Sequence, residues 1–286
     1  MTEQQIRAVV EQVLARLGQD APRESTGAPA AADDPLPDIS AIHLRRQYLV
    51  ESPHDQAAFL AMKERTPARI GVGRAGARYR TETMLRFQAD HAAAQDAVFS
   101  DVPEEFIQQM GWQVYQTSCE SREEFLTRPD KGRVFPAETL QKIKASIPAG
   151  TQVVLYVADG LSSSAVHANA ADILPVIHDG LQAAGLRVSD PFFVRFGRVA
   201  TEDQIGEACG ADVVCVLLGE RPGLVTAESM SAYIAYKPTV GMAESRRTVL
   251  ANIHRGGTPA VEAGAHIVDL IQLMMEKKAS GTDLPV

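Results

Sequence analysis

Two short apolar runs end in small charged turns. Phe192-Phe193-Val194-Arg195-Phe196 runs into Gly197-Arg198-Val199, and Val213-Val214-Cys215-Val216-Leu217-Leu218 runs into Gly219-Glu220-Arg221-Pro222-Gly223. Runs of this length, rich in β-branched and aromatic residues and bounded by Gly or Pro, read as buried strands. Thr201 to Cys209, between them, reads as a helix. One strand–helix–strand unit puts both charged turns at the same edge of a parallel sheet. Ligands sit at that edge, outside the carboxyl ends of the strands.

Other motifs carry less chemistry. Asp159-Gly160-Leu161-Ser162 follows a strand-like run and places Ser162 near a helix start, but there is no G-x-S-x-G elbow, so capping is its expected role. Gly71, Gly73 and Gly76 match G-x-G-x-x-G, yet they follow a helix and Pro67 rather than a strand, and the dinucleotide fingerprint requires the strand. Arg74, Arg78 and Arg80 in the same loop suit a subunit interface better than an anion contact. The seven histidines form no H-E-x-x-H or His/Cys cluster. In Asn252-Ile253-His254-Arg255-Gly256-Gly257 the position that a cobalt-ligating D-x-H-x-x-G motif gives to Asp is Asn252, so His254 is expected to be a turn residue. The three cysteines, Cys119, Cys209 and Cys215, have no metal-like spacing and read as small core residues.

These turns need a framework, and 286 residues at 45% hydrophobic and 22% charged can build one or two domains with a proper core. The net charge of −8 gives no bias toward nucleic acid or an anionic membrane. No apolar run reaches the ~20 residues that span a bilayer, and no signal-peptide core follows the start.

Residues 1–19 are expected to form a separate amphipathic helix. Ile6, Val9, Val10, Val13, Leu14 and Leu17 make one stripe, Thr2 and Gln5 a capping box, and Gly18 a stop. Residues 20–40, rich in Ala, Pro, Asp and Ser, read as a disordered linker. A tethered stripe of this kind docks on a partner more readily than on its own domain.

Residues 41–148 read as a mainly helical domain, with helices over 53–65, 81–99, 103–110 and 136–147, a strand over 112–115, and Thr81 as an N-cap. Residues 149–286 alternate strands (152–157, 192–196, 213–218, 231–236, 248–253) with helices (165–184, 201–209, 259–278), the last capped by Thr258. The expected fold class is α/β: a Rossmann-like, doubly wound C-terminal domain behind the helical domain and the tethered helix.

Several stretches together resemble one family. They are Gly73-Arg74-Ala75-Gly76 with Leu85-Arg86-Phe87-Gln88-Ala89-Asp90-His91; Thr127-Arg128-Pro129-Asp130; Asp159-Gly160-Leu161-Ser162; Pro191 through Val199; Asp203-Gln204-Ile205-Gly206-Glu207; Gly219 through Leu224; and Asn252 through Pro259. In this order, over about residues 70–280, they resemble the small (light) subunits of ethanolamine ammonia-lyases. The resemblance implies a lyase that uses adenosylcobalamin to convert ethanolamine to acetaldehyde and ammonia by a radical route. It implies a large subunit that carries the substrate barrel, a heterododecamer of six large and six small chains, and cobalamin covered at the interface between the two. It carries cofactor contacts over to Val199, Glu220 and Val249, the last where relatives can have a cysteine. No catalytic residue and no protein metal ligand is implied here. Residues 1–19 resemble the peptides that dock cargo to microcompartment shell proteins, which places the enzyme in a bacterial microcompartment, or in the cytoplasm where no shell is made. The other readings of the residues are a stand-alone nucleotide-binding enzyme using the Gly71–Gly76 loop, and a cargo adaptor using only the helix.

Overall fold

The structure is a computed structural model in which residues 38–39 and 42–285 are described. The expected helix over 1–19 and most of the expected linker over 20–40 lie outside the described residues.

A six-stranded sheet organises the chain, in the order β3-β5-β4-β6-β7-β8. Its strands are β3 (Val114–Gln116), β4 (Val153–Ala158), β5 (Phe192–Arg195), β6 (Val213–Gly219), β7 (Met230–Tyr236) and β8 (Arg247–Ile253). The first four are mutually parallel. Every residue of β4 and β6 is buried. That burial requires cover on both faces, which is why both strands read as unbroken apolar runs.

The alternation of side chains divides the core in two. Val153, Leu155, Val157, Val213, Cys215 and Leu217 meet helices α6 (Ser163–Ala183) and α8 (Ala260–Lys277). Val154, Tyr156, Val214, Val216 and Leu218 meet α5 (Ala137–Ser146) and α7 (Thr201–Cys209). Burial of these strand side chains is the main cohesive term, at about 2 kcal/mol for each large apolar residue. The chain leaves β4 by α6 on one face and leaves β5 by α7 on the other. The connections thus leave the neighbouring strands β4 and β5 toward opposite faces, and a crevice opens at their carboxyl ends.

The last two strands correct the expectation of a doubly wound parallel sheet. β7 runs antiparallel to β6, and β8 antiparallel to β7. Residues 220–229 and 237–246 connect them without an α-helix, and connections this short cannot make a parallel crossover. The sheet is mixed.

The earlier residues contribute α1 (Gln56–Glu64), the hairpin strands β1 (Arg74–Ala75) and β2 (Arg78–Tyr79), α2 (Thr81–Phe99), α3 (Glu104–Gln109) and α4 (Arg122–Thr127). The glycine-rich loop is thus a two-stranded hairpin turning at Gly76, whose φ of +61° suits glycine. It forms no strand-to-helix phosphate turn, so the stand-alone nucleotide-binding reading loses its site. Two expected caps also move. Arg80 precedes α2 and Thr81 is its first residue. Pro259 precedes α8, because Thr258 is held in extended pairing with Ile253 and donates its N–H to Asn252 O.

Among the described residues no helix is long and apolar enough to cross a membrane.

Candidate functional site at the carboxyl edge of the sheet

The three parallel strands β4, β5 and β6 end together, and their following loops frame a depression of about 220 Å³. It is lined by Gly160 and Leu161 after β4, Gly197 to Val199 after β5, and Leu218 to Arg221 at the end of β6. Ser231 and Tyr233, at the start of β7, and Phe125 of α4 complete the wall. The crevice between β4 and β6 is tight. A Cβ on Gly219 would stand 2.0 Å from the carbonyl oxygen of Ser162, and one on Gly160 would stand 2.4 Å from that of Gly219. Two glycines facing each other let Leu161 N–H donate to Gly219 O at 3.0 Å. This brings the loop tips close enough to share one surface.

Ser162 caps α6, accepting from Ala165 N at 3.1 Å and donating to Ala227 O at 2.5 Å. The expected capping role therefore stands. His254 sits in its turn, with Nε2 2.9 Å from Asn252 Oδ1 and Nδ1 accepting from Gly256 N at 3.1 Å. Cys119 and Cys215 are buried and Cys209 is half-buried. Among the described residues no three of His, Cys, Asp and Glu gather as a metal cluster.

The structure brings Val199 and Glu220 into one lining. Glu220 Oε1 accepts from Ser231 Oγ and from Asn252 N, the latter at 2.9 Å. Val249 stands outside the lining on the edge strand β8, 45% exposed and in register with Tyr233. Paired residues on adjacent strands share a face. Val249 thus extends the wall of Tyr233 outward as an exposed apolar shelf.

Two buried ion pairs hold this frame. Asp159, at the end of β4, lies 2.9 Å from Arg122 NH2 and accepts from Gly197 N at 3.2 Å. Arg122 also donates to Gly160 O at 3.2 Å and to Asp101 at 2.8 Å. One carboxylate and one guanidinium thereby tie together the loops after β4 and β5. Burial raises the Asp159 carboxyl to about 6, against the pull of Arg122 and the N–H groups of Phe196 and Gly197. Phe196, in that loop, is held at a φ of +56°, a conformation that needs outside support in a residue other than glycine. Thr117 Oγ1 supplies part of it, donating to Phe196 O at 3.0 Å.

The second pair joins α7 to β8. Arg247, 5% exposed, reaches Glu202 at 2.5 Å and Asp203 at 2.7 Å. These acids form the first turn of the helix that follows Val199, and the arginine begins the strand that carries Val249. Burial pushes Glu202 up to about 8, with Asp203 adding repulsion and Arg247 opposing both.

Sequence reasoning named neither pair, nor Phe125 and Tyr233 as wall residues. Their separations along the chain leave no local signal. Asp159 was legible only as the first residue of a turn, and Arg198 only as part of one.

Comparison with known proteins follows the same line. A family model described as "Ethanolamine ammonia-lyase light chain (EutC)" matches residues 56–285. The chain is 55% identical to an ethanolamine ammonia-lyase small subunit of Clostridium tetani, over 99% of both chains. It is 52% identical to that of Clostridium perfringens and 50% identical to that of Listeria monocytogenes, over 99% of this chain and all of each relative.

Proposed function

Since the chain belongs to the family of ethanolamine ammonia-lyase small (light) subunits, we propose that the depression at the carboxyl edge of its sheet is this chain's share of a cobalamin site completed by a large subunit. The chain carries the small-subunit function of a lyase in ethanolamine degradation. The observation behind the cofactor reading is the convergence of Val199 and Glu220, remote in sequence, on one lining.

The residues fit such a group. Self-sufficient small-molecule sites enclose roughly 300–1,000 Å³, and about 220 Å³ here makes a wall rather than a container. A broad, flat cofactor with an amide rim needs an apolar surface edged with acceptors and donors. Leu161, Val199, Leu218 and Tyr233 give the surface, and Glu220 and Arg221 the edge. Glu220 accepts from peripheral amides, while its bonds from Asn252 N and Ser231 Oγ fix its carboxylate in advance. Val199 offers backbone groups and a methyl surface. Val249 extends the apolar wall, and a contact made there through backbone tolerates valine in place of cysteine.

Adenosylcobalamin, when bound, supplies the radical chemistry that converts ethanolamine to acetaldehyde and ammonia. This chain positions and seals; its residues include no catalytic group in our reading. The assembly is six large and six small chains. Residues 1–19 dock to microcompartment shell proteins through their apolar stripe, so that the enzyme resides in that compartment, or in the cytoplasm of an organism without shells.

The test is co-expression with a large subunit. The pair, given adenosylcobalamin and ethanolamine, should release acetaldehyde, and the small chain alone should not. Turnover by the isolated chain, or none by the pair, would overturn the reading.

A further inference from the structure

Arg198 is unlike the other buried or half-buried arginines of the frame. Arg86, Arg122 and Arg247 each face a carboxylate within 3 Å. Arg198 lines the depression, half-buried, and no carboxylate pairs with it among the described residues. Its surroundings offer repulsion instead. Burial and the nearby Arg133 both draw its pKa below the ordinary value. Of its guanidinium donors, only NH2 has an acceptor among the described residues, Phe125 O at 2.6 Å. Nε is buried and has no hydrogen-bond partner among the described residues.

A partly desolvated cation without an anion, and a buried donor without an acceptor, both carry a cost. Native proteins keep such groups where something else supplies the partner. The side chain is also held in place. The guanidinium carbon stands 4.4 Å from the centre of the Phe125 ring. The backbone N–H of Arg198 donates to Gly132 O at 2.9 Å, and a Cβ on Gly132 would come within 3.2 Å of Arg198 Cγ. The position is therefore preorganised, which lowers the ordering cost of binding.

We propose that Arg198 is a further cofactor-binding residue, whose guanidinium donates to an acceptor oxygen of bound cobalamin. This rests on the assignment of the depression to cobalamin. Two kinds of oxygen on that cofactor suit a guanidinium: the carbonyls of the corrin amides and the phosphate of the nucleotide loop. Both form charge-assisted hydrogen bonds with it.

The experiment uses the complex of large and small subunits and measures equilibrium binding of cyanocobalamin, which needs no turnover, and of cobinamide, which lacks the nucleotide and its phosphate. Arg198→Gln should weaken cyanocobalamin binding about 10- to 100-fold. The same loss with cobinamide assigns the bond to an amide; a loss confined to cyanocobalamin assigns it to the phosphate. Wild-type affinity in an assembled Arg198→Gln complex overturns the proposal. Should that variant fail to assemble, Arg198→Met decides by the same measure, since it keeps an unbranched stem against Phe125 and removes every donor. A wild-type complex that binds neither compound would instead sink the cobalamin reading itself, and this inference with it.

Discussion

The backbone N–H of Asn252 donates to Glu220 Oε1 at 2.9 Å, joining the end of the edge strand β8 to the loop after β6. Asn252 is held at a φ of +63°, and that turn aims the N–H at the carboxylate. Two of the three regions expected to touch the cofactor, those of Glu220 and Val249, are thus one hydrogen-bonded unit.

Replacing the carboxylate should separate binding from support. Glu220→Ala removes the acceptor for Asn252 N and Ser231 Oγ and any acceptor offered to a ligand. At about 1 kcal/mol for each net bond, cobalamin affinity of the complex should fall at least fivefold. Glu220→Gln keeps one oxygen and should lose less. A cobalamin titration checks both, and an unchanged titration with Glu220→Ala would count against the assignment of Glu220.

The Asp159–Arg122 pair predicts a larger structural effect. Asp159→Asn keeps the shape but leaves Arg122, which is 9% exposed, with only the exposed Asp101 as an ionic partner among the described residues. Breaking a buried pair costs roughly 3–5 kcal/mol, and the remaining partner puts this case near the low end. Urea unfolding should show a lower midpoint with an unchanged slope. Loss of cobalamin affinity should accompany it, because the loops after β4 and β5 lose their shared anchor.

Glu202 makes a pH prediction with a definite sign. Its folded value, about 8, lies above the ordinary carboxyl value of 4.5. In the window between them the folded state binds more protons than the unfolded state. Its contribution to stability is therefore complete below about 4.5 and lost as pH rises through about 8. Denaturation midpoints measured across pH 5 to 9 should fall with rising pH in the wild type. Glu202→Gln should flatten that decline, and an equal slope in both proteins would show that Glu202 titrates elsewhere.

Deleting residues 1–20 tests the expected docking helix. Acetaldehyde release by the assembled enzyme should be spared, and co-purification with microcompartment shell proteins should be lost. Lost activity with normal co-purification would reverse that reading and make the segment an assembly element.

The sequence by itself located the elements that carry the site. The apolar runs over 152–157, 192–196 and 213–218 are strands because β-branched and aromatic side chains buried on both faces leave an unbroken local signal. Thr201–Cys209 is a helix with the expected bounds, and Ser162 caps its helix as its type and place suggest. The charged turns at Gly197 and Gly219, named from spacing alone, line one depression. Tertiary structure decided what local pattern cannot encode. Strand direction in β7 and β8 depends on how far each connection must travel, so a correct list of strands still allowed the wrong sheet. Phe125 stacks on Arg198 across 73 residues, Asp159 meets Arg122 across 37, and Arg247 meets Asp203 across 44. A buried charge finds its partner only when the chain closes around it, and only the closed chain shows that half-buried Arg198 faces no carboxylate among the described residues.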